Sequence, residues 1–179
     1  MSNIIVIAEV RGGSLKRPSL EAITAAQQLA TASGGQVIAI ACGNGIDAAT
    51  SELAGTSKVI AIDGAGFANY SGDAWAKAIV EQVKANNGAA VLMAHTAMGK
   101  DLLPRVSGLL DTGIITDVVS VSCDDGTFGA QKPVFGGKAT MTIRATKSPF
   151  CVTIRPNNFE AASGGGGEVA KVDAPSGDM

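Results

Sequence analysis

The chain has 179 residues, a length that fits one domain. Apolar residues make up 46% and aromatics only 4%, so Ala, Val, Ile and Leu must build the core, while 23 glycines supply tight turns. A formal net charge of −2 excludes a generally basic nucleic-acid binder, and the absence of any apolar run of about 18 residues excludes a helical membrane span.

The first strand is expected over 4–8, Ile-Ile-Val-Ile-Ala, a continuous apolar run typical of a strand buried on both faces. No basic segment precedes it and no Ala-x-Ala site follows, so no targeting peptide and a cytoplasmic, bacterial-type location are expected. Pro18 suits the first turn of a helix that Ser33-Gly34-Gly35 ends. A second strand follows over 36–42, then a short helix over 47–54 closed by Gly55, a third strand over 58–62, and a third helix containing 75–85 with Trp75, Ile79, Val80 and Val83 on one stripe. The fourth strand is placed over 89–94. Leu102, Leu103, Val106, Leu109 and Leu110 then define a fourth helix, and Pro104 puts its start near 101–103. A fifth strand is expected over 118–123.

Strand and helix alternate to this point, which predicts a doubly wound, mostly parallel α/β sheet with helices on both faces. An antiparallel hairpin extension follows, with strands over 127–135 and 138–145. Ala139, Met141, Ile143 and Ala145 alternate with Lys138, Thr140, Thr142 and Arg144, predicting one buried and one wet face. Pro133 has no N–H to give. A four-residue loop, 135–138, places it opposite Thr140 at a site that needs none, so that loop is expected. A last strand covers 150–154. The α/β domain is therefore drawn over 1–160, and 161–179, with four consecutive glycines from Gly164, as a flexible linker and tail leading to a further domain.

Cys42, Cys123 and Cys151 are widely spaced and odd in number, so buried free thiols are expected rather than a disulfide framework or a zinc site. Gly43-Asn44-Gly45-Ile46-Asp47-Ala48 fits G-x-G-x-x-A between a strand and a helix, with Asp63 twenty residues past Gly43. That is the pattern of a dinucleotide fingerprint with its ribose-binding acid. It follows the second strand rather than the first, however, and Asp47 puts negative charge where a pyrophosphate would sit, so the bland reading is a glycine-rich turn. His95 is the only histidine. It ends the fourth strand, and the loop through Gly99, Lys100 and Asp101 faces the loop after the first strand across the expected switch point. His95, Gly99, Lys100 and Asp101 are the crevice candidates; Arg11, Lys16, Lys100 and Arg105 could hold an anion. No metal pair, catalytic triad, P-loop or HExxH motif is present, so no catalytic residue and no metal site is expected.

Five strings, in order, carry a resemblance. They are Ile4-Ile5-Val6-Ile7-Ala8-Glu9 with Gly12-Gly13-Ser14-Leu15-Lys16, Gly99 to Val106, Thr116-Asp117-Val118, Lys132 to Ala139 ("RPIYAGNA" in the family), and Thr153 to Phe159 ("VRPTAF"). On these the chain resembles the amino-terminal half of the alpha subunit of electron-transfer flavoproteins. The resemblance implies an adenine-nucleotide-hydrolase-like (HUP-type) domain. It also implies a second domain holding most contacts to FAD, absent from this sequence, and a beta subunit completing a heterodimer. Electrons would pass from flavin dehydrogenases, such as the acyl-CoA dehydrogenases of fatty acid beta-oxidation, to a quinone reductase. It implies no flavin bound to this segment, whose role would be scaffold and docking. The wet face of the hairpin and the loop over 100–105 are polar without a catalytic set and suit docking, so Lys100, Arg105, Lys138 and Arg144 are expected to face partners. The alternative is a stand-alone adenine-nucleotide- or dinucleotide-binding domain of the same fold.

Overall fold

A computed structural model describes residues 2–175. Seven parallel strands form its main sheet. In chain order, β1 is Asn3–Ala8, β4 Gln36–Gly43, β5 Lys58–Asp63, β6 Gly88–Ala94, β7 Ile114–Val118, β11 Phe150–Ile154 and β12 Glu168–Asp173, with spatial order β12-β5-β4-β1-β6-β11-β7. The tip after β1 is a small hairpin of β2 (Val10–Arg11) and β3 (Ser14–Leu15). Helix α1 (Arg17–Ser33) covers one face of the sheet, α3 (Gly72–Ala85) and α4 (Ala97–Leu109) the other, and α2 is a short turn of helix, Asp47–Ser51.

The central strands are apolar on both faces because both are covered. Along β1, Ile4, Val6 and Ala8 join Ala22, Ile23, Ala26 and Leu29 of α1, while Ile5 and Ile7 join Trp75, Ile79, Val83, Leu102 and Val106. Small residues let helices and sheet approach closely, so a chain poor in aromatics still fills two core layers. Register is regular where it matters for the crevice: Ile7 lies beside Ile40 and Met93. Among the described residues, no helix is long and apolar enough to cross a membrane.

Four expectations need correction. First, α4 begins at Ala97, and Pro104 lies inside it. Thr96 caps the helix by accepting the Gly99 N–H at 3.1 Å, and Gly99 packs so closely on β6 that a Cβ there would lie 1.9 Å from the Ala94 carbonyl oxygen. Those contacts secure the first turns, and the carbonyl that Pro104 deprives belongs to the exposed Lys100. Second, the expected strand over 118–123 is two strands. β7 stays in the main sheet; β8 (Ser120–Asp124) turns away to pair with β9 (Thr127–Val134), which pairs with β10 (Ala139–Arg144) in a separate antiparallel sheet.

Third, the hairpin has no fully buried face. Along β10 only Ile143 is half-buried, and Met141 is 48% exposed; β9 enters the core with Phe128 and Ala130, while β10, at the outer edge of the small sheet, does not. The loop does span 135–138: Val134 faces Ala139, Pro133 faces Thr140, and Lys138 N–H meets the Phe135 carbonyl at 3.4 Å.

Fourth, the stretch read as a flexible tail contains β12, paired with β5 at six positions from Glu168–Lys58 to Asp173–Asp63. Its approach is pinned by Gly55 N–H to the Gly165 carbonyl (3.0 Å) and by an Ala54–Gly166 bridge. A Cβ on Gly166 would stand 2.9 Å from the Leu53 carbonyl oxygen and one on Gly167 2.2 Å from the Ser57 carbonyl carbon, so these two glycines permit contact rather than looseness. Residues 176–179 of that stretch lie outside the described residues.

Candidate functional site

The carboxyl ends of β1, β4 and β5 open into a cavity of about 430 Å³, at the position where doubly wound sheets bind ligands. The hairpin tip (Val10, Arg11, Gly12, Gly13) forms one wall, and Gly43, Asn44 and Ile46 form the floor. The far wall is Phe67, Asn69, Tyr70 and Trp75, with Met98 at the rim. Trp75 anchors an aromatic group, with ring centroids 5.6 Å from Phe67 and 5.2 Å from Tyr70, the latter edge-on.

The fingerprint lies at this cavity, but its donors are occupied. The Asp63 carboxylate accepts the Gly45 N–H at 2.7 Å and the Ile46 N–H at 3.4 Å. Those amides would have to meet a pyrophosphate. Asp47, next along, pairs with Lys171 of β12 at 2.6 Å. Asp63 thus caps the turn of its neighbouring strand, and the G-x-G-x-x-A pattern closes on itself.

The crevice candidates separate. His95, Gly99, Lys100 and Asp101 do not line the cavity; of that loop only Met98 does. Gly99 serves the helix–strand approach described above. Asp101 turns to α3: it accepts the Tyr70 hydroxyl at 2.6 Å and pairs with Arg105 at 3.0 Å, and Arg105 also reaches Asp73 at 2.6 Å. The Tyr70 hydrogen bond and then the Arg105 guanidinium hold the Asp101 carboxyl below its ordinary range, while burial and the Asp101 charge push the Tyr70 phenol up. Lys100 and Lys138 make no ion pair among the described residues; Arg144 meets Asp124 at 3.4 Å. Of the anion-holding set, Arg11 alone lines the cavity.

His95 belongs to a different cluster, at the carboxyl ends of β6, β11 and β7. Its Nδ1 is 2.8 Å from the hydroxyl of Thr153, which is fully buried. That hydroxyl also accepts the Asp117 N–H at 2.9 Å, so one buried oxygen ties His95 of β6 to the β7 backbone. Burial lowers the His95 pKa, as do the charges of Lys100, Lys132 and Arg155, against the opposing Asp117. Asp117, at φ 63°, aims its carboxylate at Arg155 in two bonds of 2.9 and 2.7 Å, which holds its carboxyl low. Burial raises the Cys151 thiol to about 12 and the Cys42 thiol further. Among the described residues no group of three or more His, Cys, Asp or Glu side chains is placed to hold a metal ion.

Sequence reasoning missed the aromatic wall, since Trp75 at helical spacing reads as core. It missed the Thr153–Asp117–Arg155 cluster because Asp117 ends β7 while Thr153 and Arg155 lie at the end of β11, more than thirty residues later. The available signal was the single tryptophan of the chain.

Residues 4–176 match a family model described as "Electron transfer flavoprotein domain". The chain is 34% identical over 162 residues to an electron transfer flavoprotein subunit alpha of Bacillus subtilis, covering 89% of this chain and 49% of that protein. It is 33% identical over 178 residues to the protein of that name from Pseudomonas aeruginosa, covering 97% and 55%. A "probable electron transfer flavoprotein subunit alpha, mitochondrial" of Cryptococcus neoformans is 30% identical over 173 residues, covering 94% and 49%. The chain spans about half the length of these curated relatives.

Proposed function

Because this chain belongs to the electron transfer flavoprotein family, on the alpha-subunit side, we propose that it is the amino-terminal scaffold and docking domain of such a subunit. In this reading it acts with a beta subunit and FAD to carry electrons from flavin dehydrogenases to a quinone reductase. It is an electron-carrier component rather than an enzyme, it works in the cytoplasm, and its sheet is of the HUP type. The flavin would be held mainly by sequence beyond this segment.

The observation that carries the reading is the family match along nearly the whole chain. Two features of the molecule agree with it. The fingerprint amides are taken by Asp63, which leaves the adenine-nucleotide alternative without its usual phosphate site. And the turn end of the β9–β10 hairpin and most of β10 are exposed, with Phe135 81% exposed and Lys138 unpaired among the described residues, a surface with apolar and charged parts for a partner to cover. Lys100 and Lys138 are free to meet a partner at once. Arg105 and Arg144 would bring their carboxylate neighbours with them, and exposed charges of this kind govern association rate more than affinity.

The test is to mix the chain with separately produced beta subunit and follow association by sedimentation. A stable complex is expected. No complex, together with saturable binding of an adenine nucleotide by the chain alone, would favour the stand-alone domain.

A further inference from the structure

β10 is an outer strand of the small sheet, and its free side is made of backbone. Ala145 N–H donates to the Phe128 carbonyl at 2.8 Å, so that facing pair is a hydrogen-bonded one. Hydrogen-bonded pairs alternate along an antiparallel ladder, so Ile143, Met141 and Ala139 also turn their N–H and C=O groups toward β9. Those of Thr140, Thr142 and Arg144 turn the other way, into solvent. Pro133, which has no N–H to give, fits the same phase, since it faces Thr140. Three donors and three acceptors thus stand in a row along an exposed strand, without a backbone partner among the described residues.

Free edges are usually blunted by a proline, a bulge or a covering element. The opposite outer strand, β8, is covered, with Val121 packed in the core layer of α1. β10 has no proline, and its register with β9 runs unbroken over six pairs. What it carries instead is charge. Between Asp125 and Glu160 the sequence has five Lys or Arg and no Asp or Glu, in a chain whose net charge is −2. Two of these cations, Lys138 and Arg144, stand at the ends of the free edge. Arg144 has one exposed carboxylate neighbour, Asp124 at 3.4 Å, and Lys138 has none among the described residues. A second copy would bring the same cations to the edge and is disfavoured; an acidic strand is drawn to it.

We infer, resting on the docking role proposed above, that the free edge of β10 takes an extended acidic segment of the beta subunit as a fourth strand of the small sheet. Its backbone pairs with the outward groups of Thr140, Thr142 and Arg144. Its apolar side chains lie beside Met141 and Ile143, and its carboxylates meet Lys138 and Arg144. Main-chain bonds supply the affinity of such an added strand, and the charges at its ends choose the partner.

Hydrogen exchange read by NMR tests this residue by residue, in nitrogen-15-labelled chain with and without unlabelled, separately produced beta subunit. In the chain alone the amides of Thr140, Thr142 and Arg144 should exchange fast, and those of Met141 and Ile143 slowly. In the complex the first three should slow by about tenfold or more. Thr142→Pro removes an outward N–H and no bond to β9, so the domain keeps its fold, which its urea midpoint verifies. It should bind the beta subunit about tenfold or more weakly. Lys138→Glu combined with Arg144→Glu should also weaken binding, and added salt should weaken the parent's. A complex in which the three amides stay fast, or a Thr142→Pro chain that binds as the parent does, would overturn the added strand and leave the docking role standing. The same amides slowing with rising concentration of the chain alone would give the edge to a second copy and overturn the assignment. No complex with the unaltered chain would remove the docking role itself, and this inference with it.

Discussion

Substituting Gly167 by Ala should release β12 while the rest of the domain stays folded. The added Cβ would stand 2.2–2.4 Å from three backbone atoms of Ser57 and Lys58, none of which can move without disturbing β5. The strand cannot absorb such a displacement because its hold is slight. Six paired positions at about 1 kcal/mol of net hydrogen bonding each give roughly 6 kcal/mol. Ordering six backbone residues costs about 6–12 kcal/mol. Partial burial of Val172 and Ala174 against the α3–α4 layer returns about 2 kcal/mol, so the strand lies near balance. Its ion pair, Lys171 with Asp47, is exposed on both sides and adds little. Hydrogen exchange followed by mass spectrometry reads the outcome segment by segment. Amides of Glu168–Asp173 and of the β5 edge should exchange at least tenfold faster in Gly167→Ala, while those of α1 and β1 keep their protection. Gly165→Ala is the control, since no atom lies within 4 Å of its Cβ position and its backbone is not left-handed. Parent-like exchange in Gly167→Ala, or equal loosening in Gly165→Ala, would refute the close-contact reasoning.

Other outcomes follow from the same contacts. Asp63→Ala removes the cap on the Gly45 and Ile46 amides and should lower stability to urea by about 1–2 kcal/mol; an unchanged midpoint would show that water replaces it without loss. The His95 pKa is depressed by burial, so the unfolded chain binds the proton first as pH falls. The stability that this group contributes is complete above about pH 6.5 and declines below it, and a proton NMR titration of this one histidine should give a midpoint under 6.5. Asp117 is depressed by its Arg155 partner, so its contribution is present above the ordinary carboxylate pKa and disappears as pH falls through the lower folded value. With both groups partly exposed, Asp117→Asn should cost about 1 kcal/mol or less at neutral pH, and a loss several times that would mean the pair is far better shielded than its geometry indicates. Added FAD should not remain with the chain through gel filtration; a stoichiometric flavin spectrum would contradict the proposed division of labour.

The central sheet was legible because burial on both faces writes itself as unbroken apolar runs, and β1, β4, β5 and β6 all carry one. Strand order was legible only in part. Nothing in Phe150–Ile154 says that it inserts between β6 and β7, since an apolar run records burial and not its neighbours. β12 was missed for a related reason: an edge strand half in water needs few large apolar residues, and the glycines before it look the same whether they loosen a chain or let two backbones touch. Pro104 misled because its cost depends on where the deprived carbonyl points. At the site, the turn of Gly43 to Ala48 was found but not the carboxylate that fills it, and His95 was placed by strand order at a crevice it turns away from.

The position of β11 has a consequence for how the chain acquires its fold. β7 touches the main sheet only through β11, which is made more than thirty residues later, after the whole β8–β9–β10 excursion. As the chain leaves the ribosome, the β6 edge is complete and apolar while its partner does not yet exist. Direct pairing of β7 with β6 is then the nearest wrong register, one that would have to open again to admit Phe150–Ile154. Sheets closed by such distant segments fold slowly and expose sticky edges meanwhile. Synthesis halted before residue 150 should therefore give aggregating chains, since the five-residue strand that must lie between β6 and β7 has not yet been made.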